Sequence, residues 1–206
     1  MKKLSFIAAC FISLCFMACS GGGSNSEKKI VIMASGKITV TDKSIELDPS
    51  FTHNEQTVSF KDDKLTLTVK STAGTNKTFD LTDNGVYLLN LQTDTLIGGL
   101  VNYGNAGRAG SITAEAMDHI IDSTQQLMTG ANANDAKGPF FILPFNIKKI
   151  SAAGNTKVIG SFKGIPYSNE ADADGKIPDV IKFFSVKQKR ETLKDLLEQR
   201  AKIKKV

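Results

Sequence analysis

Lys37-Ile38-Thr39-Val40-Thr41-Asp42-Lys43-Ser44-Ile45-Glu46-Leu47 is the stretch from which the fold can be read. Ile38 and Val40 alternate with polar residues before Thr41-Asp42-Lys43, and Ile45 and Leu47 do so after it. A period of two places one wet face and one buried face on each strand, and a short polar break between them predicts a turn. Moving outward, Thr57-Val58-Ser59-Phe60 and Leu65-Thr66-Leu67-Thr68-Val69 repeat the pattern. Lys61-Asp62-Asp63-Lys64, Ala73-Gly74-Thr75-Asn76 and Asp83-Asn84-Gly85 punctuate it as turns, the last with the Asn-Gly pair that tolerates positive φ. Val86 to Leu91 is almost wholly apolar and predicts a central strand buried on both faces. From about Ile30 to Tyr103 the short connections favour an antiparallel meander.

The pattern then changes. Gly98-Gly99 and Gly104-Asn105-Ala106-Gly107-Arg108-Ala109-Gly110-Ser111 form a glycine-rich passage. From Thr113 to Met128, Ala116, Met117, Ile120, Ile121, Thr124, Leu127 and Met128 fall on one arc at helical spacing. Glu115, Asp118, His119, Asp122, Gln125 and Gln126 fall on the other. This predicts an amphipathic helix lying on an apolar surface, taken to be the sheet, with Gly130 as its C′ residue. Phe140 to Ile150 reads as strand, with Pro144 marking an edge or bulge. Ala152-Ala153-Gly154-Asn155 reads as a hairpin turn into Lys157 to Phe162, and Val180 to Val186 as a last strand. Leu193, Leu196 and Leu197 give a narrow stripe on a terminal helix. The expected fold class is α+β: an antiparallel sheet, one packed helix and a basic C-terminal helix.

Composition is that of a globular protein, with 41% hydrophobic residues among 206. The net charge of +5 is unevenly spread. Residues 187–206 hold eight Lys/Arg against three Asp/Glu, whereas residues 20–186 hold sixteen against eighteen. The basic tail could attract anionic headgroups or a protein partner. All three cysteines, Cys10, Cys15 and Cys19, lie near the start. The later chain therefore excludes a cysteine nucleophile and a Cys-ligated zinc site.

Lys2 and Lys3 precede an apolar run from Leu4 to Met17, too short to span a bilayer and of signal-peptide length. Phe16-Met17-Ala18-Cys19 follows. This arrangement resembles the signal and lipobox of bacterial lipoproteins, with Ala18 and Cys19 matching the pattern and Phe16 and Met17 departing from it. The resemblance implies that residues 1–18 are removed. It further implies that Cys19 carries a diacylglyceryl group and a further acyl chain such as palmitate. Ser20-Gly21-Gly22-Gly23-Ser24-Asn25-Ser26 then reads as a flexible tether of roughly 15 Å within the span 19–29. Residues 30–186 are expected to form one domain, followed by the basic helix at 187–206. Ser20, which is not Asp, points to the outer membrane. Asp94-Thr95-Leu96 and Asp122-Ser123-Thr124 resemble the O-glycosylation triplet of exported Bacteroidetes proteins. The early acidic cluster of surface-exported lipoproteins from that group is missing, which favours a face toward the periplasm.

Three constellations are candidates for chemistry. Arg108 and the glycines before the helix could bind an anion, since a helix start offers free N–H donors. Neither the Walker nor the dinucleotide glycine pattern is present, so a plain glycine loop is the competing reading. Glu115, His119 and Asp122 share a helix face and could hold a metal, against a solvated polar face. Asp172, Asp174 and Asp179, in Asp172-Ala173-Asp174-Gly175-Lys176-Ile177-Pro178-Asp179, resemble a shortened calcium loop of the thrombospondin type 3 kind. Lys176 stands where those repeats place an acid, and a polar turn is the competing reading. Apart from Ca²⁺ no cofactor is expected. His53 has no sequence-adjacent partner.

These readings lead to a membrane-anchored envelope lipoprotein acting as a binding or structural module. Its partners would be the membrane, through the lipid, and an envelope protein or polysaccharide. Nucleic acid is not expected. The alternatives are a carboxylate-based hydrolase of envelope polymers, or a carrier whose apolar ligand lies inside the sheet.

Overall fold

The computed structural model describes residues 27–103, 113–131, 133 and 139–203. Ten strands form two sheets: β1 (Lys28–Thr41), β2 (Ser44–Phe60), β3 (Leu65–Ser71), β4 (Asn76–Leu81), β5 (Gly85–Leu91), β6 (Leu96–Leu100), β7 (Phe140–Ile142), β8 (Asn146–Ser151), β9 (Lys157–Ile159) and β10 (Val180–Ser185). Two helices, α1 (Ala114–Met128) and α2 (Val186–Ile203), complete an α+β arrangement.

The hairpin predicted around Asp42 exists, but its strands are far longer than the alternating segment. β1 and β2 pair antiparallel from Thr41↔Ser44 to Lys28↔Phe60. A straight 14-residue strand would reach about 46 Å. This one bends at Gly36, where the register slips so that Ser35 faces His53 and Gly36 faces Pro49. Gly36 has φ +141°, and a Cβ there would lie 2.2 Å from the Asp48 carbonyl oxygen. Only glycine fits such a close approach. The bend carries both ends of the hairpin to one residue: Lys28 Nζ donates to the Asp62 carbonyl, and Lys43 Nζ donates to the Asp62 carboxylate.

The first sheet, ordered β4-β3-β2-β1-β5-β8, is consequently curled into a nearly closed barrel. Its edge strands approach closely enough for Lys77 Nζ of β4 to donate to Asn146 Oδ1 of β8 at 3.3 Å. The interior is filled by Ile30, Ile32, Ile45, Leu47, Leu67 and Leu89 with their neighbours. Lys28 is wholly buried, and its ammonium donates to the carbonyls of Asp62 and Asp63 and to Asn84 Oδ1 at 2.7, 2.9 and 3.1 Å. All three of its donors are thus satisfied.

The expected pure meander is not what forms. β5 pairs parallel with β1 and β3 pairs parallel with the start of β2, because the curled hairpin presents free backbone edges in these directions. β5 is the central strand that was expected, buried along its whole length between β1 and β8. The second sheet, ordered β7-β6-β10-β9, packs on the outer face of β1 and β5. Val31, Met33, Val86 and Leu88 meet Leu96, Ile142, Ile181 and Phe183 there. The strand expected over Phe140 to Ile150 divides at Pro144: Phe145, at φ +53°, turns the chain from β7 in one sheet to β8 in the other. The turn at Ala152–Asn155 makes no hairpin either, since β9 pairs parallel with β10.

α1 starts at the Thr113 cap and ends in a Schellman motif, with Gly130 at φ +75° and the Ala131 N–H bonded to the Gln126 carbonyl. Its apolar stripe packs on α2 and not chiefly on the sheet as expected: Met117 and Ile121 cluster with Leu193 and Leu196. Arg200 clamps Asp118 with two 2.7 Å bonds, which raises its own pKa. Leu197, counted in the docking stripe, is instead half exposed.

Gly36→Ala is expected to lose about 1–3 kcal/mol from backbone strain alone, read as a lower urea midpoint. An unchanged midpoint would show that the bend accepts a side chain. Lys28→Met leaves three acceptors without their donor and is expected to cost about 3 kcal/mol or more. Equal thermal stability of this variant and the parent chain would remove the buried ammonium from the list of structural necessities.

Candidate functional site

An amphipathic cleft lies on the second sheet, on the side away from the barrel. β6 forms one wall through Ile97, Gly98, Gly99 and Leu100, continued by Val101 and Asn102. Leu127 of α1, Pro139 and Ile165 form others, and Phe184 with Lys182 and Lys189 completes the cleft. Its volume is about 390 Å³, within the range of small-molecule sites. Gly98 and Gly99 play different parts. A Cβ on Gly98 would strike the Phe183 ring, which belongs to the core between the sheets. A Cβ on Gly99 would meet nothing within 4 Å. Gly99 therefore leaves cleft space open, whereas Gly98 lets the sheet pack.

The two lysines share one aromatic ring. Lys182 Nζ lies 5.0 Å and Lys189 Nζ 4.2 Å from the Phe184 centroid, both within cation–π range. Lys182 is 6% exposed, and its ammonium is pinned by the Gly160 and Lys163 carbonyls. Burial lowers its pKa, and the nearby Glu55 carboxylate offsets this in part. Burial lowers the pKa of Lys189 as well, without an opposing carboxylate. Among the described residues Lys189 forms no ion pair. An ammonium half withdrawn from water with only a ring face for company is costly to keep charged.

α2 delivers Lys189 to this place. Ser185 and Gln188 form a reciprocal capping box: Ser185 Oγ accepts from the Gln188 N–H at 3.1 Å, and Gln188 Oε1 accepts from the Ser185 N–H at 3.0 Å. Asp94 Oδ2 accepts from the Lys187 N–H at 2.8 Å. These bonds set the helix start immediately after β10, so Lys182, Phe184 and Lys189 come from one continuous strand-to-helix segment. The Ser-x-x-Gln pattern was present in the sequence as a start signal, and it places the helix start one residue before the 187 boundary expected. The glycines at 98 and 99, grouped in sequence with a loop, belong to β6.

Of the residues singled out in the sequence, Cys19 and Arg108 lie outside the described residues. Glu115, His119 and Asp122 are all exposed on α1, and among the described residues no group of three His, Cys, Asp or Glu could hold a metal ion. Asp172 and Asp174 border a polar cleft of about 530 Å³ with Glu27, Asn155 and Lys176. Asp172 commits its oxygens to the chain itself. Oδ2 accepts from Asn155 Nδ2 at 2.6 Å, and Oδ1 accepts from the N–H groups of Asp174 and Lys176 at 3.1 and 2.9 Å. Those donors, Asn155 foremost, hold its carboxyl below the usual carboxylate range. Asp179 is exposed and takes part through its carbonyl, which accepts from the Lys157 N–H. A cation at Asp172 would have to displace three donors, and the segment is built as a hydrogen-bonded turn. His53 stacks on Phe162 with centroids 3.6 Å apart. Glu55, also on β2, pairs with Lys163 at 2.6 Å.

No known protein family, curated protein or solved structure matches this chain.

Because its folded pKa is depressed, Asp172 contributes order to its turn above the ordinary carboxylate range. That contribution fades as pH falls through the folded value. The protection of the Asp174 and Lys176 amides, taken against the intrinsic exchange rate at each pH, is expected to fall on acidification, and Asp172→Ala to bring the same loss of protection at neutral pH. Equal protection in the variant and the parent would mean the carboxylate does not hold the turn.

Proposed function

We propose that this chain is a lipid-anchored binding module of the bacterial cell envelope, held by Cys19 and presenting the Phe184 cleft to a ligand. One observation carries the binding reading: a half-buried ammonium, Lys189, stands on the wall of an apolar cleft without an acidic partner among the described residues. The cation–π contact with Phe184 offsets only part of the cost of withdrawing that ammonium from water, and a bound counter-charge would offset the rest. The anchor rests on Lys2, Lys3, the Leu4–Met17 run and Ala18-Cys19, with Ser20–Ser26 as tether. No helix among the described residues is long and apolar enough to cross a membrane. The outer membrane, facing the periplasm, is the proposed location, and a protein or polysaccharide of the envelope is the proposed macromolecular partner.

The other two readings have less support. A carrier with its ligand inside the sheet needs an interior cavity, and side chains such as Ile32, Leu67 and Leu89 occupy the barrel interior. A carboxylate hydrolase needs acids free to exchange protons. In the clefts that hold acids, Asp172 is tied to three donors and Asp94 accepts from the Thr95 and Lys187 N–H groups, while Glu27, Asp174 and Glu191 are exposed to solvent.

Protein purified from membranes is expected to yield an N-terminal peptide that begins at Cys19 and carries the mass of a diacylglyceryl group. Cys19→Ser is expected to shift the chain from the membrane to the soluble fraction. A native peptide beginning at Met1, or a free thiol at Cys19, would overturn the anchor.

A further inference from the structure

We propose that the Phe184 cleft takes an amphipathic anion, with its carboxylate or phosphate at Lys189 beside Lys182 and its apolar body along Gly99, Leu100, Leu127 and Ile165. This proposal rests on the binding reading above and adds the ligand's chemical class.

The lining divides by chemistry. Ile97, Leu100, Val101, Leu127, Pro139 and Ile165 offer only hydrocarbon from their side chains, while the ammonium groups of Lys182 and Lys189 gather at Phe184. Leu100 and Ile165 are 61% and 47% exposed although they border a concave surface, so apolar area remains there for a ligand to cover. Lys182 cannot swing away, because two carbonyls hold its ammonium. Lys189 is held only by the ring face among the described residues. Lys182 contributes a fixed positive charge, partly offset by Glu55, and Lys189 a movable one, 5.0 and 4.2 Å from the same ring centroid, in surroundings where desolvation strengthens a charge-assisted hydrogen bond. An anion placed there would supply the counter-charge that neither an acidic side chain nor full hydration provides to Lys189. A cation would meet the like charge of Lys189, and a neutral apolar molecule would leave that charge uncompensated. Gly99 supports the same occupant: a Cβ at this position would meet none of the described residues within 4 Å.

The test uses the full lipidated chain in phosphatidylcholine nanodiscs, with empty discs as the blank for partitioning. Three probes share one apolar body: 4-phenylbutyrate, 4-phenylbutan-1-ol and 4-phenylbutylamine. Inorganic phosphate is the fourth, as an anion without that body. Calorimetric titration is expected to show 4-phenylbutyrate binding about tenfold or more tightly than the alcohol, as expected for one charge-assisted contact. No heat is expected from the amine or from inorganic phosphate. Lys189→Met keeps the apolar stem and is expected to bring the anion's affinity down to that of the alcohol while leaving the alcohol unchanged. The melting temperature of this variant is expected to be equal to or above the parent's, because a desolvated charge is gone. Gly99→Leu is expected to remove binding of both, with the melting temperature retained.

Equal affinity for anion and alcohol, or insensitivity of the anion to Lys189→Met, would overturn the anionic class while the cleft stands as a binding site. Tight binding of inorganic phosphate would overturn the amphipathic part. If no probe gives heat that Gly99→Leu abolishes, both the ligand class and the cleft as the site fall.

Discussion

The bend at Gly36 is the constraint on which the rest of the molecule depends. β1 and β2 form a hairpin too long to lie flat on a domain of this size, and only a residue without a Cβ allows β1 to pass so close to Asp48. Once bent, the hairpin's two ends meet at Asp62, where Lys28 and Lys43 each make a hydrogen bond. The curl has two outcomes. It encloses a core within a single sheet, and it leaves the outer face of β1 and β5 apolar. That outer face cannot remain wet, because Val31, Met33, Val86 and Leu88 would then be exposed together. The second sheet covers it.

The cleft is a consequence of that second layer. β6 and β10 turn one face toward the barrel, where Gly98 yields its space to Phe183. Their other face carries Ile97, Gly99, Lys182 and Phe184. The same alternation that buries Ile181 and Phe183 thus presents Lys182 and Phe184 outward. Buried Asn90 ties the layers together, donating to the Asp94 and Ile142 carbonyls and accepting from the Gln92 N–H. Two buried lysines show two different solutions to one problem. Lys28 satisfies all its donors and serves the fold. Lys182 is pinned by two carbonyls yet borders the cleft, on the same ring as Lys189.

The sequence was informative wherever the determining contacts are local. The turn at Asp42, the buried strand at Gly85–Leu91 and the limits of α1 could all be read from it, since alternation, a fully apolar run and cap residues act within a few positions of themselves. Partner choice was not legible. Ile30-Val31-Ile32-Met33-Ala34 carries the mark of a strand buried on both faces, a signal that could have indicated a second layer. Nothing in that run says that Gly85–Leu91 lies beside it in parallel. The division of Phe140–Ile150 between two sheets turns on Phe145 adopting φ +53°, which a Pro-Phe pair does not announce. The cleft was illegible for the same reason, because its walls come from residues 97–102, 127, 139, 165 and 182–189.

What the amino-acid order alone determined are the α+β class, the period-two strands and the capped amphipathic helix. Each depends on neighbours in the chain, so short-range sterics and hydrophobic periodicity suffice. Only the tertiary structure decided that the long hairpin curls, that parallel pairings replace a meander, and that α1 rests on α2. It also decided that Lys189 stands beside Phe184 with no ion pair among the described residues. Those outcomes depend on which distant surfaces exclude water together, and burial between distant segments leaves no periodic trace in either segment.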